Sequence, residues 1–132
     1  MLKQLCYSRK HRLVSNRQFE SVLSRRLNVS NGLLTVYMAC NDCGCPRLGV
    51  SIGKPCGKAV VRNRLKRLVR ESFRQSRGHI PDGFDYVIMI SRKLSRKLET
   101  SANPKEMIKQ ITFKQVNDSF ISLVAAIKEK IG

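Results

Sequence analysis

The chain has little of the chemical equipment that enzymes and secreted proteins usually carry. It contains no tryptophan, two histidines and only nine acidic residues in 132 positions, so it offers few candidates for a general base or a carboxylate cluster. Its five cysteines follow no framework spacing, which favours a reducing cytoplasm over secretion. The longest apolar runs, residues 86–90 and 123–127, are too short to span a membrane, and the basic N-terminus lacks an apolar signal core.

Positive charge is what the chain has in excess. The 26 lysines and arginines give a formal net charge of +17. Such a surface repels itself unless an anionic partner neutralises it, and nucleic acid is the partner that this balance favours. Length and the absence of repeats predict one domain over residues 1–132, with residues 1–12 as a basic N-terminal arm.

Residues 58–77 predict a helix with two chemically different faces. Apolar residues recur on one arc, while arginine and lysine occupy the flank and the opposite side. Guanidinium groups bind phosphates through a rigid bidentate fork. A solvated charged face is the bland alternative, but such faces usually alternate in sign, and here only Glu71 interrupts the positive charge. The pattern therefore favours nucleic-acid binding.

The remaining patterns predict a small sheet covered by helices. A helix around Phe19 precedes two strands at residues 33–40 and 47–53; after the basic helix comes a buried strand at 85–91 and a closing helix from Phe113 to Ile131. Residues 93–105 are polar and contain Asn103-Pro104, which predicts a linker or loop. The order α-β-β-α-β-α indicates an α+β fold, a two-layer sandwich.

The sequence gives little support for a metal site or for nuclease activity of the protein itself. Cys40, Cys43 and Cys45 have a spacing that zinc or redox sites use, but they are interpreted as loop cysteines, so no metal site is predicted. The acids are scattered, so no catalytic residue is assigned to the protein itself.

The segment 47–73, RLGVSIGKPCGKAVVRNRLKRLVRESF, resembles the protein component of bacterial ribonuclease P. The match rests on Gly49 and Ser51 in a strand, on Arg62-Asn63-Arg64 in the basic helix, and on DYVIMISR at residues 85–92. The resemblance implies a subunit that assists a catalytic RNA in removing the 5′ leader from precursor tRNA. It also implies a left-handed β-α-β crossover around the basic helix. The main alternative is a structural RNA-binding protein, for example of the ribosome.

The resemblance assigns the basic helix to the RNA subunit. The predicted RNA-binding residues are Lys54, Lys58, Arg62, Asn63, Arg64, Lys66, Arg67, Arg70 and Arg74. It also implies a cleft for the single-stranded leader between the first helix and the sheet, where bases can stack on aromatic rings. The predicted cleft residues are Phe19, Leu23, Tyr37 and Val50.

Further expectations follow from the same resemblance. Mg²⁺ is expected in the holoenzyme, held mainly by RNA; the partners are the catalytic RNA and precursor tRNA, with no membrane and no obligate protein partner. The region between Arg92 and the closing helix is longer and more basic than the family usually has. Two alternatives stay open for this region, an additional RNA-contacting arm and a solvated linker. Its basic residues are Lys93, Arg96, Lys97, Lys105 and Lys109.

Overall fold

A computed structural model describes residues 12–13, 16–41, 44–52 and 59–131. Within these ranges the elements follow in the order α1 (Asn16–Ser24), β1 (Asn28–Ser30), β2 (Leu34–Cys40), β3 (Arg47–Ser51), α2 (Ala59–Ser76), β4 (Phe84–Ile90), α3 (Arg92–Thr100), α4 (Pro104–Lys109) and α5 (Phe113–Ile131). One turn of 3₁₀ helix, Arg77–His79, ends α2.

The four strands form one sheet in the order β1-β2-β4-β3. Antiparallel pairing joins β1 to β2 and β2 to β4, where Leu34 lies opposite Ile90 and Cys40 opposite Phe84. β3 runs parallel to β4 at the edge. The chain leaves β3, forms α2 and returns as β4, which is the expected β-α-β crossover. Its left hand stays a prediction.

Strand alternation divides the side chains between two faces of the sheet. Val36, Met38 and Ile88 point to the main core, where the buried faces of α2 and α5 cover them. Val87 and Ala39 point to the other face, which α1 partly covers. The α+β class is confirmed, and the predicted two-layer sandwich gains a partial third layer from α1. As predicted, β4 is buried on both faces.

Three aromatic rings join the sheet to the two long helices. Phe73 of α2, Tyr86 of β4 and Phe120 of α5 meet edge to face, with centroids 6.3–6.4 Å apart. The hydroxyl of Tyr86 donates to the carbonyl of Pro81 at 2.7 Å, which satisfies its polar atom, and burial raises its pKa. Helix α2 is thus held at a fixed position against the sheet.

An ion pair joins β3 to β4 at the end of the sheet. Arg47 donates from Nε and Nη2 to the carboxylate of Asp85 at 2.7 and 2.8 Å, and Asn41 donates to the same carboxylate at 2.8 Å. Asp85 is buried. The Asp85 carboxylate thus accepts from side chains on both sides of the sheet end, and this ties β3 and the residue after β2 to β4.

The prediction of a linker or loop at residues 93–105 is wrong, because most of this segment is helical. Leu94 and Leu98, one turn apart, are buried and give α3 an apolar side. Ser91 caps α3 by accepting from the amide of Leu94 at 3.1 Å. Asn103 and Pro104, interpreted as loop punctuation, are instead the N-cap and first residue of α4.

Two further differences concern short segments. β1 has only three residues and was not predicted, since so short a strand leaves no alternation to detect. The basic arm at residues 1–12 lies outside the described residues except for Arg12, which forms a parallel bridge with Leu48 at the edge of β3.

Candidate nucleic-acid interface

Helix α2 presents most of the predicted RNA-binding residues. Its inward side buries Val61, Leu65, Val69 and Phe73 at four-residue spacing. Two inward hydroxyls, on Ser72 and Ser76, donate to one amide oxygen of Asn117 on α5, at 2.8 and 3.1 Å. Packing and hydrogen bonds together fix the rotation of the helix, and therefore the direction in which its basic side chains point.

The outward side of α2 is a basic stripe. Asn63, Arg67 and Arg70 are exposed, while Lys66 and Arg74 are half-buried. A shallow groove of about 320 Å³ runs along this side, lined by Asn63, Arg67, Arg70, Glu71 and Arg74. The structure thus brings five of the predicted RNA-binding residues onto one continuous surface. Convergent cations beside an amide can neutralise phosphates and hydrogen-bond to sugar or base edges.

Glu71 is the acidic residue of this groove, and it is paired. Arg74 donates from Nε to Glu71 at 3.0 Å, with a second guanidinium contact, and Gln75 donates at 2.9 Å. The hydrogen bond from Arg74, then that from Gln75, lowers the pKa of Glu71 to about 2. The carboxylate therefore stays charged at neutral pH and partly neutralises the positive charge of Arg74.

The two arginines that flank Asn63 are placed differently from the stripe. The guanidinium of Arg64 donates to the carbonyls of Ile108 and Ile111, at 3.3 and 3.1 Å. The Nε of Arg62 is buried, with no hydrogen-bond partner among the described residues. Lys54 and Lys58 lie outside the described residues.

A second surface lies on the other face of the sheet. Phe19 and Leu23 of α1 pack with Tyr37 of β2 around a small buried cluster, so three of the four predicted cleft residues come together. Gly49 of β3 makes this packing possible, because a Cβ at that position would lie 2.6 Å from Cζ of Phe19. Cζ and Cε1 of the Phe19 ring therefore lie close to the backbone of β3 at Gly49.

Tyr37 also lines an open groove of about 480 Å³ beyond the end of α1. Thr35 and Met89 also line this groove. The hydroxyls of Ser30 and Thr35 form a hydrogen bond of 2.9 Å. Arg92 and Lys93, at the start of α3, line the same groove. An aromatic ring, small polar groups and two cations in one groove suit a strand of unpaired nucleotides.

Val50 does not belong to this surface, and its assignment to the leader cleft is wrong. It packs against the main core, on the α2 and α5 side of the sheet. The alternation of β3 explains the difference, because Gly49 faces α1 and the next residue must face the other way. Sequence reasoning also missed Thr35 and Lys93 as groove residues. The spacing of Thr35, two positions before Tyr37, was a signal that could have placed them on the same face.

Among the described residues, no three His, Cys, Asp or Glu side chains converge as a metal site would require. None of the helices in that part of the chain has the length and apolar character needed to cross a membrane.

Comparison with known proteins gives a consistent set of relatives. The family model described as Ribonuclease P matches residues 7–127. The ribonuclease P protein component of Clostridium kluyveri is 39% identical over 105 residues, covering 76% of this chain and 93% of the relative. That of Thermotoga petrophila is 34% identical over 122 residues, covering 92% and 96%.

Solved structures agree with the sequence relatives. The RNase P protein from Thermotoga maritima superposes with a TM-score of 0.71 at 32% identity, covering 86% of this chain and 94% of that one. The RNase P protein of Staphylococcus aureus gives a TM-score of 0.69 at 26% identity, covering 89% and 95%.

Proposed function

The chain belongs to the ribonuclease P protein family, as a subunit of that endoribonuclease and a partner of its RNA, and we propose that its two surfaces divide the work. The basic stripe of α2 binds the RNA subunit. The groove beside α1 binds the single-stranded 5′ leader of precursor tRNA. The observation that supports this division most directly is that the two surfaces lie on opposite faces of one sheet.

The stripe suits a structured polyanion. Arg67 and Arg70 are exposed on a helix that packing and the Asn117 hydrogen bonds hold at a fixed rotation. Prepositioned guanidinium groups lose less conformational freedom when they bind a phosphate. Asn63, one turn before Arg67 in the same groove, adds a group that can donate and accept.

The groove suits unpaired nucleotides instead. Tyr37 offers a partly exposed ring on which any base can stack, which is typical of binding without strong sequence preference. Arg92 and Lys93 stand where the backbone phosphates of a stacked strand would pass. The 5′ leader of precursor tRNA is single-stranded, so it offers both unpaired bases for stacking and backbone phosphates for the two cations.

Catalysis is assigned to the RNA, with Mg²⁺ held mainly by RNA in the holoenzyme. Among the described residues, the carboxylates of Glu71 and Asp85 are already paired, with Arg74 and Arg47 respectively. The protein acts by screening phosphate repulsion and by holding substrate. A cytoplasmic location fits this role and the free thiol of Cys40.

Reconstitution tests the function as a whole. The protein, purified free of RNA, is added to a bacterial ribonuclease P RNA transcribed in vitro, and 5′-leader removal is followed at low Mg²⁺. Cleavage is expected only with both components, and protein should lower the Mg²⁺ requirement of the RNA. Robust cleavage by the protein alone would refute the division of roles.

Tyr37 tests the leader groove. Tyr37→Leu keeps apolar bulk but removes the ring face, so it should weaken binding of precursor tRNA by roughly 5- to 150-fold, the equivalent of about 1–3 kcal/mol for one stacked base. Tyr37→Phe keeps the ring and serves as the matched control. Mature tRNA, which lacks a leader, should bind all three proteins alike. Equal losses for both tRNAs would remove Tyr37 from the leader site.

A further inference from the structure

Arg64 connects the basic helix to the segment that follows β4. Its Nε and Nη2 donate to the carbonyls of Ile108 and Ile111, at the end of α4 and just beyond it. The last carbonyls of a helix have no partner within the helix and favour a cation. The carbonyl of Ile108 also accepts from the amide of Ile111 at 3.0 Å, and the guanidinium fork of Arg64 adds a cation and a further donor from a different element. Although Arg64 is classed with the phosphate-binding residues by resemblance, its geometry is that of a link between two helices.

Two lysines lie on α4, the helix that Arg64 contacts. The side chain of Ile108 is buried on the inner side of α4. Lys105 and Lys109 are exposed and lie one turn apart on the same helix. No ion pair within the described residues involves either lysine. α4 packs beside α2. Two neighbours of Arg64 on α2 belong to the basic stripe: Asn63, which precedes it, and Arg67, in the next turn. The positive surface of α2 therefore continues onto α4.

We propose that Arg64 is a positioning residue that docks α4 against α2, so that Lys105 and Lys109 extend the surface that binds the RNA subunit. The proposal rests on the proposed role of α2. The occupant is the RNA subunit because the two patches have the same sign and adjoin each other, so a single folded polyanion can contact both. The tRNA leader would lie on the other face of the sheet.

The lysines are tested by salt-dependent binding to a bacterial ribonuclease P RNA. Lys105→Ala and Lys109→Ala should each weaken binding by about five- to eightfold at 0.1 M salt, and each should flatten the log–log salt slope by about one unit, if each lysine neutralises one phosphate. Lys128→Ala, an equal loss of charge about 22 Å along α5 from its first residue, is the matched control and should bind as the wild type.

A double-mutant cycle tests the positioning role of Arg64. Arg64→Met keeps most of the side-chain stem but removes the donors. If Arg64 positions Lys109, adding Lys109→Ala to Arg64→Met should weaken binding less than twofold further, because the lysine is already misplaced. Hydrogen exchange of the α4 amides should accelerate in Arg64→Met without RNA, and should not change in Lys109→Ala. Additive losses, or unchanged exchange in Arg64→Met, would overturn the positioning role.

Arg67→Ala separates this inference from the proposed function. Wild-type affinity in Arg67→Ala would mean that α2 itself does not bind the RNA subunit. Weakened binding in Arg67→Ala, combined with wild-type affinity and slope for both α4 lysine variants, would overturn the extension onto α4 alone. Thermal melting of each variant shows that the chain is folded in the assay.

Discussion

The contact between Gly49 and Phe19 predicts that a single methyl group will disturb the leader groove. Gly49→Ala places a Cβ 2.6 Å from Cζ and 2.7 Å from Cε1 of Phe19, and 3.1 Å from Cδ1 of Leu13. Ordinary carbon contacts are close to 3.5–4.0 Å. The ring must therefore move by about 1 Å, and α1 must tilt or Phe19 must leave its rotamer.

The magnitude follows from overpacking. Forcing a methyl group into a filled site costs about 1–3 kcal/mol, because neighbouring side chains and backbone must shift. For a chain of this length one kcal/mol corresponds to about 4 °C in melting temperature, so Gly49→Ala should lower it by roughly 4–12 °C. Because Phe19 packs against the same buried cluster as Tyr37 and Met89, which line the leader groove, that groove should lose its shape before the RNA-binding helix does.

Two measurements check this expectation. Thermal denaturation gives the stability loss, and binding of precursor and mature tRNA gives the effect on the leader. Gly32→Ala is the matched control, since its new Cβ would meet only Cδ of Lys93 at 3.9 Å and should leave both unchanged. Phe19→Leu should partly rescue Gly49→Ala by removing ring atoms from the contact. A Gly49→Ala variant with wild-type melting and wild-type discrimination between the two tRNAs would refute the reasoning.

Other perturbations follow from the two ion pairs. Glu71→Gln should strengthen binding to the RNA subunit and steepen its salt dependence, because it frees Arg74; unchanged binding would show that Arg74 does not face RNA. The pKa of Glu71 is lowered to about 2, so its ion pair stabilises the fold fully above about pH 5, and this stabilisation disappears as the pH falls through 2. The melting difference between wild type and Glu71→Gln should shrink accordingly, and a difference that persists at pH 1.5 would contradict this assignment. Asp85→Asn should cost about 2–4 kcal/mol in chemical denaturation, because it leaves the half-buried Arg47 without its carboxylate; the exposed Asp82→Asn is the control, and equal unfolding midpoints would contradict the role of the pair.

Periodicity predicted the long elements well. The spacing of apolar residues placed the closing helix from Phe113 to Ile131, which agrees with α5, and placed α2 within one residue at each end. Such segments carry four or more buried residues in register, so their pattern survives any tertiary context. α3 has only Leu94 and Leu98 on its buried side among basic neighbours, and two residues are too few to show a period.

Sites were harder to predict than elements, because they depend on which element covers which face. The alternation of Leu48 and Val50 in the sequence is consistent with one buried side of β3. It could not indicate that α1 covers the opposite side, and Val50 was therefore assigned to the wrong surface. The charge of Arg64 was equally plain in the sequence. The sequence did not indicate which groups Arg64 contacts. The two backbone carbonyls are 44 and 47 residues away, and they come within reach of Arg64 only after α4 has folded.

The bridge between Arg12 and Leu48 has a consequence for the behaviour of the chain in solution. β3 is an edge strand, and an uncovered edge of this kind invites pairing with another molecule. The amide of Leu13 donates to the carbonyl of Leu48 at 2.9 Å, so Arg12 and Leu13 occupy part of that edge, and Arg12 brings a charged side chain to it. This short segment therefore hinders the pairing of β3 with a strand of another molecule. A chain shortened to begin after Leu13 would leave that edge open, and it should self-associate as its concentration rises.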